Sequence, residues 1–174
     1  ANQWELAVTR FNDYGPLFSL ERYSKVEVLL WECKEIFEKK KDILHLGNVF
    51  IALANLEDKL GRIDHAIRFE NKALRYCYLT GNTESISICH NNLFNHLAKA
   101  GSYNALAHLV AAVIICYQTS SGILSIILRN FSRHLARFGP QSLPASFDQL
   151  CCIVDEVDGV GFRDLFYRLA GTDV

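Results

Sequence analysis

Leu53-Ala54-Asn55-Leu56-Glu57-Asp58-Lys59-Leu60-Gly61 has two further copies in this chain, Leu93-Phe94-Asn95-His96-Leu97-Ala98-Lys99-Ala100-Gly101 and Phe131-Ser132-Arg133-His134-Leu135-Ala136-Arg137-Phe138-Gly139. Their glycines stand 40 and 38 residues apart, a spacing that belongs to a repeated structural unit and not to a catalytic motif. Every copy closes on a basic residue, one further residue and Gly. Amphipathic helices end this way, because Gly enters the left-handed conformation without a Cβ clash and a cation suits the negative end of the helix dipole. The chain therefore reads as a stack of helical hairpins, with its function on the surface that stacking creates.

The flanking sequence extends the pattern. Ile63, Ala66, Ile67, Ala73, Leu74 and Cys77 recur at helical intervals and predict the second helix of a hairpin, closed by Thr80-Gly81-Asn82. A further helix begins near Thr83 and carries Ile86, Cys89, Leu93 and Leu97 to the stop at Gly101, and its partner runs from about Asn104 to Tyr117. Leu109 to Tyr117 is wholly apolar but far too short for a bilayer, so it predicts a helix buried on all sides. Another helix spans Ile123 to Phe138 and stops at Gly139-Pro140.

Upstream, Val26, Leu29, Leu30, Cys33, Ile36 and Phe37 form the stripe of a helix from Lys25 to Lys41, and Leu20-Glu21-Arg22-Tyr23-Ser24 reads as a decayed turn with Ser24 in place of Gly. Downstream, Ser146-Phe147-Asp148-Gln149 has the form of a capping box, and a short helix follows over about Phe162 to Leu169. The end unit of a stack has only one neighbour and needs a different outer face, so 142–170 is predicted to be a cap. The expected organisation is a single domain over 1–174, with hairpins near 1–41, 42–80, 83–118 and from 123 onward.

Composition narrows the function. Half of the residues are hydrophobic and 21% are charged, which predicts a packed globular chain and not a disordered one. A formal net charge of -1 provides no general attraction to nucleic acid or to an acidic membrane. Lys39-Lys40-Lys41 is no exception, because lysines favour a helix C-terminus, Glu32, Glu35 and Glu38 lie within pairing reach, and no aromatic residues interleave with the charges. The six cysteines contain no Cys-x-x-Cys pair and fall mostly among apolar helical residues, as reduced thiols of a cytoplasmic protein would. No secretory signal is visible, and the chain lacks Met altogether, which suggests a piece of a longer polypeptide.

Ala54, Gly61, Ala66 and Lys72-Ala73-Leu74 resemble the tetratricopeptide repeat (TPR), falling where that family has the small residue of its first helix, its turn glycine and the alanines of its second helix. The match is specific over 47–80, weaker over 84–120 where Phe94 replaces the small residue, and partial elsewhere. The resemblance implies an all-α, right-handed superhelix (α-solenoid) of TPR-like hairpins. Ala73-Leu74-Arg75-Tyr76-Cys77-Tyr78, His90-Asn91-Asn92-Leu93 and Phe162-Arg163-Asp164-Leu165 are similar to TPR segments of large bacterial signalling polypeptides that precede caspase-like proteases or nucleotide-binding modules.

TPR proteins bind peptides on a concave wall made by their first helices. The ligand-facing positions implied by the resemblance include Lys59 and Asn55 in one repeat, Lys99, Asn95 and Asn91 in the next, and Arg137, Arg133 and Arg129 in the last, with His90 beside them. Lys, Arg and Asn are donors that hold carboxylates and peptide carbonyls, so the expected ligand is an extended acidic or carboxylate-bearing segment of a protein partner. The chaperone-tail clamp of this family is incomplete, since Ile51 stands at a clamp lysine position and Ile126 and Asn130 replace the later basic pair. An alternative is a regulatory arm that controls an attached effector, a caspase-like protease or an NTPase.

Enzymatic and metal readings are weaker. Cys89 and His90 are neighbours on a helix and point about 100° apart. His90, His96 and His134 with Cys151 and Cys152 lack metal-ligand spacing, and no Gly-rich phosphate loop occurs. The expectation is a non-enzymatic interaction module with no catalytic residue, metal, cofactor, nucleic acid or membrane contact.

Overall fold

The computed structural model describes residues 2–155 and 161–171, apart from the side chain of Phe138. These residues are overwhelmingly helical, with no strand among them. Packing divides the chain into two compact units, Ala1–Thr80 and Gly81–Val174. The division falls at the Thr80-Gly81-Asn82 turn. Among the described residues no helix is long and apolar enough to cross a membrane.

The first unit holds α1 (Gln3–Phe11), α2 (Tyr14–Ser19), α3 (Tyr23–Lys40), α4 (Ile43–Lys59) and α5 (Ile63–Thr80). α4 and α5 form its closest pair, and the reason is the small residues along their contact. Ala54, Ala66 and Ala73 are wholly buried, and a Cβ built on Gly47 would stand 3.4 Å from Tyr76 Cβ and 3.6 Å from Cys77 Sγ. α1 is tied down by Asp42, whose carboxylate caps α4 through His45 N–H (3.1 Å) and accepts from the indole of Trp4 (2.7 Å) and the ring of His45 (2.8 Å).

The second unit holds α6 (Thr83–Lys99), α7 (Ala105–Gln118), α8 (Leu124–Phe138), a 3-10 turn (Pro140–Ser142), α9 (Phe147–Val154) and α10 (Phe162–Ala170). α7 is its centre and packs against α6, α8, α9 and α10. Leu106, Leu109, Ile115 and Cys116 are essentially inaccessible, and each fully buried aliphatic side chain contributes roughly 1.5–3 kcal/mol. The run from Leu109 is a helix with a buried core face, but Val110, Val113 and Ile114 are only half-buried and Tyr117 is exposed, so one face stays partly open where burial on all sides was expected. Ser146 caps α9 by accepting from Gln149 N–H (3.1 Å), while the Gln149 side chain accepts from Ala145 N–H and so completes the box one residue early.

The turns reveal the repeat more regularly than the sequence does. Glu21, Gly61 and Gly101, forty residues apart, all adopt positive φ, and so do Lys41, Gly81 and Ser120 in the alternate turns. Glu21 N–H donates to Phe18 O and Arg22 N–H to Leu17 O, as Gly61 does to Asp58 O with Arg62 to Glu57 O, and Gly101 to Ala98 O with Ser102 to Leu97 O. These are the paired bonds of a Schellman helix end. The residue equivalent to Gly61 in the first turn is therefore Glu21 and not Ser24, which lies inside α3. Gly139 differs too: with φ 76° and ψ 169° it extends the chain into Pro140–Ser142, where Gly61 and Gly101 close Schellman turns.

Candidate functional site

On α6, Asn95 and Lys99 lie one turn apart, and on α8, Asn130, Arg133 and Arg137 follow the i, i+3, i+7 pattern of one helix face. The second unit brings these two faces together. With Phe94, Ala98 and His134 they line an open hollow of about 420 Å³ that has no Asp or Glu in its wall. Asn130 Nδ2 donates to Asn91 Oδ1 at 2.9 Å and bridges the two helices at one end. Phe94 meets the ring of His134 edge to face, with centroids 5.0 Å apart.

The electrostatics are one-sided. Burial, reinforced by the charge of Arg137, lowers the pKa of His134, so its ring is neutral at neutral pH. Positive charge in the hollow comes from Lys99, Arg133 and Arg137. Arg133, and Arg129 one turn before it, are exposed and make no ion pair or hydrogen bond among the described residues. Arg10 and Arg163, by contrast, are engaged by Glu32 (2.6 Å) and Asp148 (2.8 Å). A guanidinium without a protein carboxylate keeps its planar donor fork available for an anion.

Of the expected ligand-facing residues, Asn95, Lys99, Arg133 and Arg137 line the hollow, and Asn91 borders it through Asn130. Arg129 lies outside its lining. Asn55 and Lys59 belong to the first unit. There Asn55 Nδ2 donates to Tyr14 Oη at 3.5 Å. Tyr14 has a raised pKa, chiefly through burial and helped by Glu70, against the opposing bond from Asn55. Lys59 is exposed at the end of α4, in the same turn as the buried Glu57, which pairs with Arg62 (3.5 Å) and His65 (3.4 Å).

His90 is the residue the sequence misplaced. It is fully buried, with its Nδ1 2.9 Å from Nδ1 of His108 on α7 and Phe162 of α10 edge-on to its ring. The accepting ring must be neutral, and burial lowers the pKa of both, so both are neutral at neutral pH. The face of α6 that carries His90 is the one α7 covers, which takes it away from any ligand surface. Phe94, Ala98, Asn130 and His134 were not expected in the hollow, although the step of three from Asn130 to Arg133 already placed those two on one helix face.

Among the described residues no three His, Cys, Asp or Glu side chains gather as a metal site. Cys89 and Cys151 are buried and Cys152 is exposed, and burial raises the Cys151 thiol, which disfavours the thiolate. Compared with family models, curated proteins and solved structures, the chain gives no match.

Proposed function

We propose that this protein is a non-enzymatic, TPR-like interaction module whose α6/α8 hollow receives an acidic or carboxylate-bearing segment of a protein partner. The observation that carries the reading is the convergence of Lys99, Arg133 and Arg137 from two helices on a wall that holds no carboxylate. Asn95 and Asn130 add amide groups that can bond the ligand backbone. The forty-residue recurrence of left-handed turns, and the alanine-lined contact of α4 with α5, support the TPR-like part.

A fluorescein-labelled peptide rich in Glu and Asp tests this by anisotropy. Binding should be lost on Arg133→Glu/Arg137→Glu, two exposed positions that can reverse charge without disturbing the core. Unchanged binding by that variant, or equal binding of a Gly/Ser peptide of the same length, would overturn the proposal.

A further inference from the structure

The hollow has a neighbour of opposite chemistry. A cleft of about 350 Å³ opens beside it, between the turn after α6, the start of α7 and the 139–144 segment leading into α9. Ala98 and His134 line both spaces, so the two share a wall. Leu143, Pro144 and Ile153 give the cleft its apolar surface, while Ser102 and Gln149 are among its polar groups. No Asp, Glu, Lys or Arg lines it, and the His134 ring it shares is neutral at neutral pH.

Charge is thus segregated across a single imidazole. A ligand held by the cations on one side of His134 meets, on the other, an uncharged wall that mixes aliphatic side chains with hydroxyl and amide groups. Successive residues of an extended peptide advance about 3.3 Å and alternate in direction, so one strand can present an acidic side chain to the hollow and a nearby side chain to the cleft. A charged side chain entering the cleft would lose water and find no counter-charge.

Resting on the reading above, we infer that the cleft is a second recognition site, which takes an aliphatic side chain of leucine size lying within a few residues of the ligand's acidic group. The partner segment is then mixed acidic and aliphatic, and the cleft supplies the discrimination that a cationic surface alone lacks.

Two fluorescein-labelled Gly/Ser peptides carrying Glu-Glu test it, one with Leu three residues after the pair and one with Ser there. For the unaltered protein the Leu peptide should bind at least about tenfold tighter, the gain expected from burying a leucine side chain. Leu143→Asn should bring that ratio near one, and Gln149→Trp, at an exposed rim position, should do the same by filling the opening. Arg133→Glu should weaken both peptides together. Equal affinity for the two peptides, or a leucine preference that survives both cleft variants, overturns this inference and leaves the acidic-segment reading standing. If neither peptide binds, or if a Leu peptide without Glu binds as well, the acidic-segment reading falls and takes the inference with it.

Discussion

His90 and His108 form a buried pair at hydrogen-bond distance between α6 and α7, and their chemistry makes the protein sensitive to acid. Burial, together with the charge of His108, holds His90 well below the ordinary 6.5, and burial lowers His108 to about 4. In the unfolded chain both rings take up protons as pH falls past about 6.5, while in the folded chain they do so only at lower pH. Stability contributed by the neutral pair is therefore complete above about pH 6.5 and declines as pH falls toward 4, by on the order of 3 kcal/mol for His108 alone. Urea midpoints measured from pH 7.5 to 4.5 should fall steadily below 6.5, and a His90→Leu/His108→Leu variant should flatten the decline. Asp42 adds to the loss at lower pH. Its partial burial works to raise its pKa, but bonds from His45 and Trp4 outweigh this and hold it below the usual value.

Single turn residues carry a second measurable cost. Glu21, Lys41 and Ser120 hold left-handed conformations that glycine occupies in the equivalent turns, and all three are exposed. Glu21→Gly and Lys41→Gly should each stabilise the protein by about 0.5–1 kcal/mol, because the relieved Cβ strain exceeds the extra entropy of the unfolded glycine. Gly61→Ala should cost about 1 kcal/mol for the same reason. Thermal midpoints of the three variants check the sign.

Between elements, α4 and α5 approach through small residues, and Gly47 faces Tyr76 and Cys77 of α5. A single Cβ there meets Tyr76 at 3.4 Å, an ordinary contact, so Gly47→Ala should be tolerated and can recover up to about 1 kcal/mol of helix propensity. Gly47→Val adds methyl groups with nowhere to go and should cost about 2–3 kcal/mol. Chemical denaturation should rank the proteins Ala at or above Gly, and Gly well above Val. The same logic explains α7, whose alanines Ala105, Ala107, Ala111 and Ala112 let four helices close around it.

For the molecule as a whole, a formal charge near zero coexists with a local cationic hollow. Attraction for an acidic partner is therefore short-ranged and exposed to screening. Affinity for a Glu/Asp-rich peptide should fall several-fold between 50 and 300 mM salt, as the Debye length shrinks from about 14 Å to about 6 Å. A salt-independent affinity would mean that the cations are not the recognition element. The contrast with the first unit is instructive. Lys59 follows Glu57 and Asp58, whereas the equivalent positions before Lys99 are Leu97 and Ala98.

The helices were legible because apolar residues repeat at helical intervals and because Gly and polar caps punctuate them, signals that act over a few residues. Ser146 at the start of α9 and Gly61 after α4 are cases where local chemistry alone decides the backbone. The cationic character of the second and third phrases was legible as well, since losing Glu and Asp is a matter of composition. Which residues meet was not. His90 and Asn91 are adjacent in the chain, yet one is sealed against His108 and the other reaches Asn130, because a helix turns about 100° per residue and its neighbours choose the buried face. That choice depends on α7 packing against α6 and α8 together, a long-range balance of burial and shape that no local pattern encodes.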